Sequence, residues 1–410
     1  MKKILLALLT AGVVLTSCGP AKTEIELYYY KQENQDGLKL LVNEFQKDNP
    51  NISVKLLVIP NDADSAMSTR ASQGELPAIM QMQSYARVQE YASKGYLVDL
   101  SGTEVISKVV DSSLPAVTYD GKPYALPMDF AGIGIIYNKD IFADLGLEPP
   151  ETYDELEVVC EELQAAGIVP FAALLKENWS VGHFITMIHT ALLQDVCSYD
   201  DFIAGMNSGE LSYGCVDTNR LFSILDFYGA NMNSNAAEMD GAAQQRSFGT
   251  GEAAMMVQGL WGYIDAMKVN PDLNAGFIPF PVFNDPAKNK LYADVDSCFG
   301  ISAQASEEEK AAAMAFLDWL SSEKGQKLWV ENYKLTLSFK GADVSSLGGP
   351  YDDMMASVGE KGSLPWLFSQ YPTVVFEDAC KNGAQQYMLK SKTASQVIAD
   401  IDSQWAAATK

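Results

Sequence analysis

The sequence predicts an α/β protein of two units, and three observations carry that expectation. Strand and helix patterns alternate from Glu24 onward, and the alternation restarts after Ala125-Leu126-Pro127. The 393 residues left after an export leader are also too many for one typical domain. Residues 24–30 are rich in strand formers, and residues 35–48 follow with Leu38, Leu41, Val42 and Phe45 on one helical face. Asn49-Pro50 ends that helix, because the residue before a proline is pushed out of the helical region. Residues 52–59 then read as a second strand, 63–73 as a helix, 78–82 as a short strand and 85–94 as a helix. Such a β-α-β-α-β run is the signature of a largely parallel sheet covered on both faces. In the second region residues 132–138 read as a strand, and Pro149-Pro150 leads into Thr152 and Glu155, spaced as a capping box. Leu156, Val159, Cys160 and Leu163 supply the buried stripe of that helix, and Gly167 is a natural terminator. Ser306 and Glu309 repeat the box before a helix whose core face is Ala313, Phe316, Leu317 and Leu320. Asparagine, glycine and alanine crowd residues 231–243, which predicts a surface loop.

The N-terminus reads as an export signal. Lys2 and Lys3 precede an apolar run over residues 4–15, too short for the roughly 20 residues a bilayer span needs. It suits the core of an export signal. Leu15-Thr16-Ser17-Cys18 resembles the bacterial lipobox. That resemblance implies cleavage after residue 17, acylation of Cys18 with palmitate-like chains, and a tether over residues 18–23. Several chains on one cysteine matter, because each buried CH₂ contributes about 0.8 kcal/mol and one chain anchors only marginally. Loss of residues 1–17 removes two lysines and takes the formal charge from −24 to −26. An acidic surface of that size repels phosphate backbones and excludes nucleic acid as a partner. No later apolar stretch approaches bilayer length, so the membrane is met through the lipid only. Five cysteines remain, Cys160, Cys197, Cys215, Cys298 and Cys380, so at least one thiol stays unpaired. Export permits a Cys197–Cys215 bridge, but buried free thiols are the expectation, and no C-x-x-C spacing supports zinc or redox chemistry.

The usual catalytic arrangements are missing. His183 and His189 stand six apart, not at a helical metal-ligand spacing, and no H-E-x-x-H, G-x-S-x-G or G-x-x-x-x-G-K-[ST] occurs. Gly132-Ile133-Gly134 lacks the third glycine of a dinucleotide site. Asp294-Val295-Asp296 resembles the opening of a calcium loop, but Cys298 and Phe299 stand where an oxygen ligand and a glycine are needed. Among 53 acidic residues some carboxylate pair is inevitable, so glycoside hydrolysis has no specific support. No catalytic residue, metal or cofactor is assigned.

Several segments then fall in a shared order. They are Tyr119-Asp120-Gly121-Lys122-Pro123-Tyr124-Ala125-Leu126-Pro127; Tyr137-Asn138-Lys139-Asp140-Ile141-Phe142 with Gly146-Leu147 and residues 150–156; and Phe248-Gly249-Thr250-Gly251-Glu252-Ala253-Ala254-Met255 with Gly259-Leu260-Trp261. Ile278-Pro279-Phe280-Pro281 and Phe299-Gly300-Ile301-Ser302 complete the series. In this order they resemble the extracellular solute-binding proteins of family 1, the maltose- and oligosaccharide-binding group that serves ABC importers. The resemblance implies a two-lobed, type II periplasmic-binding-protein-like fold, with ligand in a cleft between lobes joined by crossing strands. Lobe one is expected over residues 24–128 and 292–338, and lobe two over 129–291 and 339–410. It further implies capture of a mono- or oligosaccharide and delivery to the permease subunits of an ABC importer by a monomeric, non-enzymatic chain. A polyamine- or other cation-binding importer protein is the alternative, and a surface glycoside hydrolase a more distant one.

Sugars present apolar C–H faces between rings of hydroxyls, so a site needs aromatic platforms together with carboxylates and amides. By resemblance Trp261 is the first platform, with small neighbours that let a ligand approach, and Trp179 the second. Lys31-Gln32-Glu33-Asn34 is a polar loop at a strand's carboxyl end, where parallel sheets hold ligands, which makes Gln32, Glu33 and Asn34 candidate contacts. Gln81, Gln83 and Tyr85 occupy the equivalent edge after the third strand, although Pro77-Ala78 departs from the family's frequent Pro-Asp pair. Asp129 and Asp296 mark the two crossings, and Trp366 is a candidate to close the cleft. The lipobox is tested by Cys18→Ala. The variant should lose detergent-phase partitioning and membrane retention while the soluble part still binds ligand, and equal partitioning of both forms would exclude lipidation.

Overall fold

The helix expected over residues 35–48 forms as α1 (Gln35–Asp48), and its Leu38, Leu41, Val42 and Phe45 share one core with Ile25, Leu27 and Tyr29 of strand β1 (Thr23–Tyr29). Strands β2 (Ile52–Val58) and β3 (Ile79–Gln83) flank β1 on either side, both parallel to it. Helix α2 (Ala63–Gln73) connects them, and α3 (Ala86–Ser93) follows β3. The structure is a computed structural model that describes residues 22–31, 34–59 and 63–410. The leader, Cys18, Gln32 and Glu33 lie outside the described residues. Among the described residues no helix is long and apolar enough to cross a membrane.

Two long strands, Ala125–Asn138 and Leu291–Ile301, carry the sheet from this first unit into the second. They pair antiparallel from Ala125 opposite Gly300 to Ile133 opposite Tyr292. The sheet runs β2, β1, β3, Leu291–Ile301, Ala125–Asn138, Ala253–Gly259, Val169–Phe171, with Ala275–Ile278 and Ser363–Leu364 added beside the long strands. The fold is therefore α/β with two lobes.

The first crossing strand starts at Ala125, not at residue 132. Pro127 suggested a break, since proline has no amide to give a ladder. The register slips there: Val295 faces Phe130, Ser297 faces Asp129 and Cys298 faces Pro127, so Asp296 and Met128 are each left over as bulged residues. Bulges admit a proline and bend the strands that carry them. The cores divide at the same place. Leu126, Met128 and Phe299 belong to the core of β1 and α1, whereas Ile133, Ile135 and Tyr292 pack with Leu156, Phe184 and Trp405.

Both capping boxes form. Thr152 Oγ1 accepts from Glu155 N at 3.3 Å while the Glu155 carboxylate accepts from Thr152 N at 3.1 Å, and Ser306 and Glu309 do the same. The expected stripes on both helices are buried, and Gly167 takes a φ of +77°. All five described cysteines are free thiols, with Cys160, Cys298 and Cys380 buried and Cys197 and Cys215 half-buried.

Residues 231–240 are irregular as expected, with Ser234, Asn235, Ala237 and Glu238 exposed, but Asn231 and Asn233 within them are buried. Asn233 Oδ1 accepts from Ala173 N at 3.0 Å and its Nδ2 donates to Ser247 Oγ, while Asn231 accepts from Gln164 Nε2 at 2.8 Å. The composition signalled irregular backbone, and these amides satisfy interior groups that no strand reaches.

Gly132 and Gly134 owe their presence to packing. A Cβ on Gly134 would lie 2.4 Å from the Ile278 carbonyl oxygen, and one on Gly132 would lie 2.9 Å from Leu291 Cδ2. Gly134→Ala should destabilise the protein by about 1–3 kcal/mol, the usual range for overpacking. Gly359→Ala, on a helix with nothing within 4 Å of the added atom, should stabilise it by up to about 1 kcal/mol. Urea midpoints of the two variants moving in the same direction would refute this account of Gly134.

Candidate functional site

The carboxyl ends of β1 and β3 meet the bulged crossing strands beside a cleft of about 1020 Å³. Lobe one supplies Tyr30, Lys31 and Gln83; the facing wall carries Trp179, His183, Trp261, Trp366 and Phe368. The volume is at the upper end of ordinary small-ligand sites.

A buried ion triad closes the floor. Lys31 is 6% exposed and donates to Asp129 Oδ2 at 3.2 Å and to Asp296 Oδ2 at 2.5 Å. Asp129 has no exposed surface, and its Oδ1 accepts both the Ser297 amide at 2.9 Å and the Ser297 hydroxyl at 2.5 Å. Burial alone would depress the lysine, but the two carboxylates outweigh it and hold the ammonium well above its ordinary 10.5. The bulge at Asp296 makes the geometry possible, because it frees that residue from the ladder next to the Ser297–Asp129 pair.

The opposite wall is aromatic. Helix Asn178–Leu193 presents Trp179 and His183 one turn apart, and the rings meet edge to face with centroids 6.0 Å apart. Glu177 fixes that helix start: its Oε2 accepts the Trp179 indole N–H at 2.6 Å and its Oε1 accepts the Gly241 amide at 2.9 Å. His183 lies 4.6 Å from Phe368 and 6.2 Å from Trp366, and Trp366 meets Trp261 edge-on at 6.2 Å. Burial, with Lys381 adding to it, pushes His183 down to about 3, so its ring is neutral and behaves as another flat face. Gln258 lies at the base of this wall, held by Gln244 Oε1 at 3.0 Å.

The glycines around Trp261 are required by packing. A Cβ on Gly259 would lie 2.1 Å from the Trp261 ring, and one on Gly262 would lie 2.2 Å from Gln258 Cγ. They make room for the Trp261 ring and its neighbouring amide.

Gln83, Trp179, Trp261, Asp296 and Trp366 of the expected site all line the cleft. Gln81 and Asp129 have no exposed surface and lie beneath it, Gln81 Nε2 donating to Ser297 Oγ at 3.4 Å. The Tyr85 hydroxyl donates to Asp294 and does not face the cleft lining. Asn34 is in the left-handed conformation at the start of α1, where its carbonyl accepts from Leu38 N. Gln32 and Glu33 lie outside the described residues. Sequence reasoning missed Lys31 as a site residue, and also His183, Gln258 and Phe368. The four-residue spacing of Trp179 and His183 was the one available signal.

The sequence profile of the bacterial extracellular solute-binding proteins matches residues 41–346. The multiple sugar-binding protein of Streptococcus mutans is 26% identical over 283 residues, covering 66% of this chain and 67% of that one. The melibiose/raffinose/stachyose-binding protein MelE of Bacillus subtilis is 23% identical over 292 residues, covering 68% of this chain and 66% of its own. The matched part thus spans about two thirds of the length of these relatives. Among solved structures, RafE in complex with raffinose superposes with a TM-score of 0.83 at 22% identity, covering 95% of this chain and 100% of that one.

Lys31→Met should leave Asp129 buried and Asp296 half-buried without their cation and cost about 3–5 kcal/mol of stability, the range for breaking a buried ion pair. Because the folded lysine titrates above its unfolded value, its contribution is complete below about 10.4 and is lost as pH rises beyond that. Urea melts should therefore show the native and variant proteins converging above pH 10.4, and a constant difference to pH 12 would contradict the triad's role.

Proposed function

This chain belongs to the bacterial extracellular solute-binding proteins, and from that premise we propose that it captures a neutral saccharide outside the cytoplasm and hands it to an ABC importer. The family is one of binding proteins, so the chain is a binding protein and not an enzyme. One observation carries the choice of ligand: every described charge lining the cleft has an opposite partner or a donated N–H. Lys31 meets Asp129 and Asp296, Lys176 meets Asp240, Lys268 meets Asp265, Lys381 meets Glu377, and Glu177 accepts from Trp179 and Gly241. A polyamine would have to break such pairs, whereas a neutral polyol uses the remaining lone pairs and the aromatic faces. The names of the sugar-binding relatives, and the raffinose held by RafE, support the same ligand class.

In this proposal Trp261 and Trp179 stack on pyranose faces, with Trp366 and His183 between them. Gln83, Gln258 and Asp296 take hydroxyls, and Gln32 and Glu33 add contacts from lobe one. The lobes divide at the bulged crossings beside Asp129 and Asp296, since Tyr292 packs in the core of lobe two and not in lobe one as first expected, and they close on the ligand by bending there, as contacts to both lobes favour the closed form. The chain works as a monomer, held at the membrane through acylated Cys18.

Calorimetry with melibiose, raffinose, stachyose and chitooligosaccharides tests the site. Trp261→Ala should weaken the tightest of these by at least about tenfold, equivalent to about 1.4 kcal/mol, with the fold retained by circular dichroism. Trp179→Ala should weaken it less. Affinity should change little with added salt, because a neutral ligand has no charge to screen. Salt-sensitive spermidine binding with no saccharide binding would replace this reading by the cation one.

A further inference from the structure

The second crossing strand carries a carboxylate that stands apart from the ion triad. Asp294 is 8% exposed and meets no cation in the described structure; burial raises it above the usual carboxylate range, against the pull of its donors. Three groups donate to it. Val295 N reaches Oδ1 at 2.7 Å, Trp366 N reaches Oδ2 at 3.2 Å, and the Tyr85 hydroxyl lies between the oxygens at 3.2 and 3.1 Å.

These donors come from both lobes. Tyr85 precedes α3, whose Val88, Tyr91 and Ala92 pack with Tyr28 and Met80 of lobe one. Trp366 belongs to the opposite core with Phe368 and Tyr371. Tyr85 also holds a backbone conformation rarely adopted by a residue with a side chain, at φ 54° and ψ −107°, with its amide bonded to Ala116 O at 2.6 Å. Sparsely populated backbone of this kind persists only where its surroundings fix it, and here the phenol is delivered to a carboxylate. At the far end Trp366 is tied twice to the second crossing strand, through its amide to Asp294 and through its indole N–H to Tyr292 O at 3.0 Å. Its ring lines the cleft between Trp261 and Phe368.

We propose that Tyr85, acting through the Asp294 carboxylate, is a positioning residue that fixes Trp366 in the cleft wall and couples that wall to the orientation of lobe one. The inference rests on the saccharide reading above for its effect on binding, but not for its effect on Trp366. Asparagine cannot replace Asp294. Both carboxylate oxygens already accept a backbone N–H, so an amide would set its own N–H group against one of those donors.

The test uses the full chain with raffinose as probe. Tyr85→Phe removes one hydroxyl and should weaken raffinose binding at least about threefold; Asp294→Asn should weaken it no less and serves alone if Tyr85→Phe does not fold. In a Trp366→Phe background, Tyr85→Phe should have no further effect, since the two act as one unit. In the ligand-free protein, both single variants should alter the near-ultraviolet tryptophan circular dichroism that Trp366→Phe removes. An unchanged affinity would overturn the proposal, as would an equal loss with and without Trp366. If native protein binds no raffinose, the ligand choice fails instead, and the tryptophan signal decides the relay: unchanged in both variants, it overturns it.

Discussion

A single lysine held between two carboxylates sets the geometry at the centre of this molecule. Lys31 leaves the end of β1, while Asp129 and Asp296 come from the two strands that pass between the lobes. Removing three charges from water is costly, and the arrangement is tolerable only because each finds a close opposite charge and Ser297 supplies two further donors to Asp129. That requirement accounts for the bulges. A regular ladder would point Asp296 away from its neighbour's face, and the extra residue on the strand lets both carboxylates reach one ammonium.

The cleft follows from that crossing. Its floor is taken up by ion pairs, and flat rings and an amide make up the far wall. Those rings are oriented by bonds at their edges: Trp179 by Glu177, Trp366 by Tyr292, and Trp261 by the space Gly259 leaves beneath it. A neutral His183 completes the surface, because burial among aromatic side chains disfavours the imidazolium. The result is a rigid apolar face beside hydrogen-bonding groups whose charges cancel locally, which suits an uncharged polyhydroxylated ligand.

Much of the scaffold was legible in the chain. Helix faces such as Leu38, Leu41, Val42 and Phe45, and both capping boxes, depend on residues three or four apart, and local spacing settles them. Trp261, Trp179, Trp366, Gln83 and Asp296 were visible as candidates because aromatic and amide groups at strand ends and helix starts are local features too. Gln81 and Tyr85 were not separable from true lining residues. Whether a polar side chain at a strand end faces the cleft or turns beneath it depends on a partner over two hundred residues away, Ser297 for one and Asp294 for the other.

By itself the sequence determined the alternation of strands and helices, the net acidic charge and the membership of a family whose motifs run in order along the chain. Only the tertiary structure decided that strand pairing starts at Ala125 despite Pro127, that Asn231 and Asn233 are interior, and that Lys31 belongs to the floor of the site. The reason is physical. Periodicity and capping are short-range and are written within a few residues, whereas a bulge, a buried ion triad and a satisfied interior amide exist only when distant segments are brought within about 3 Å of one another.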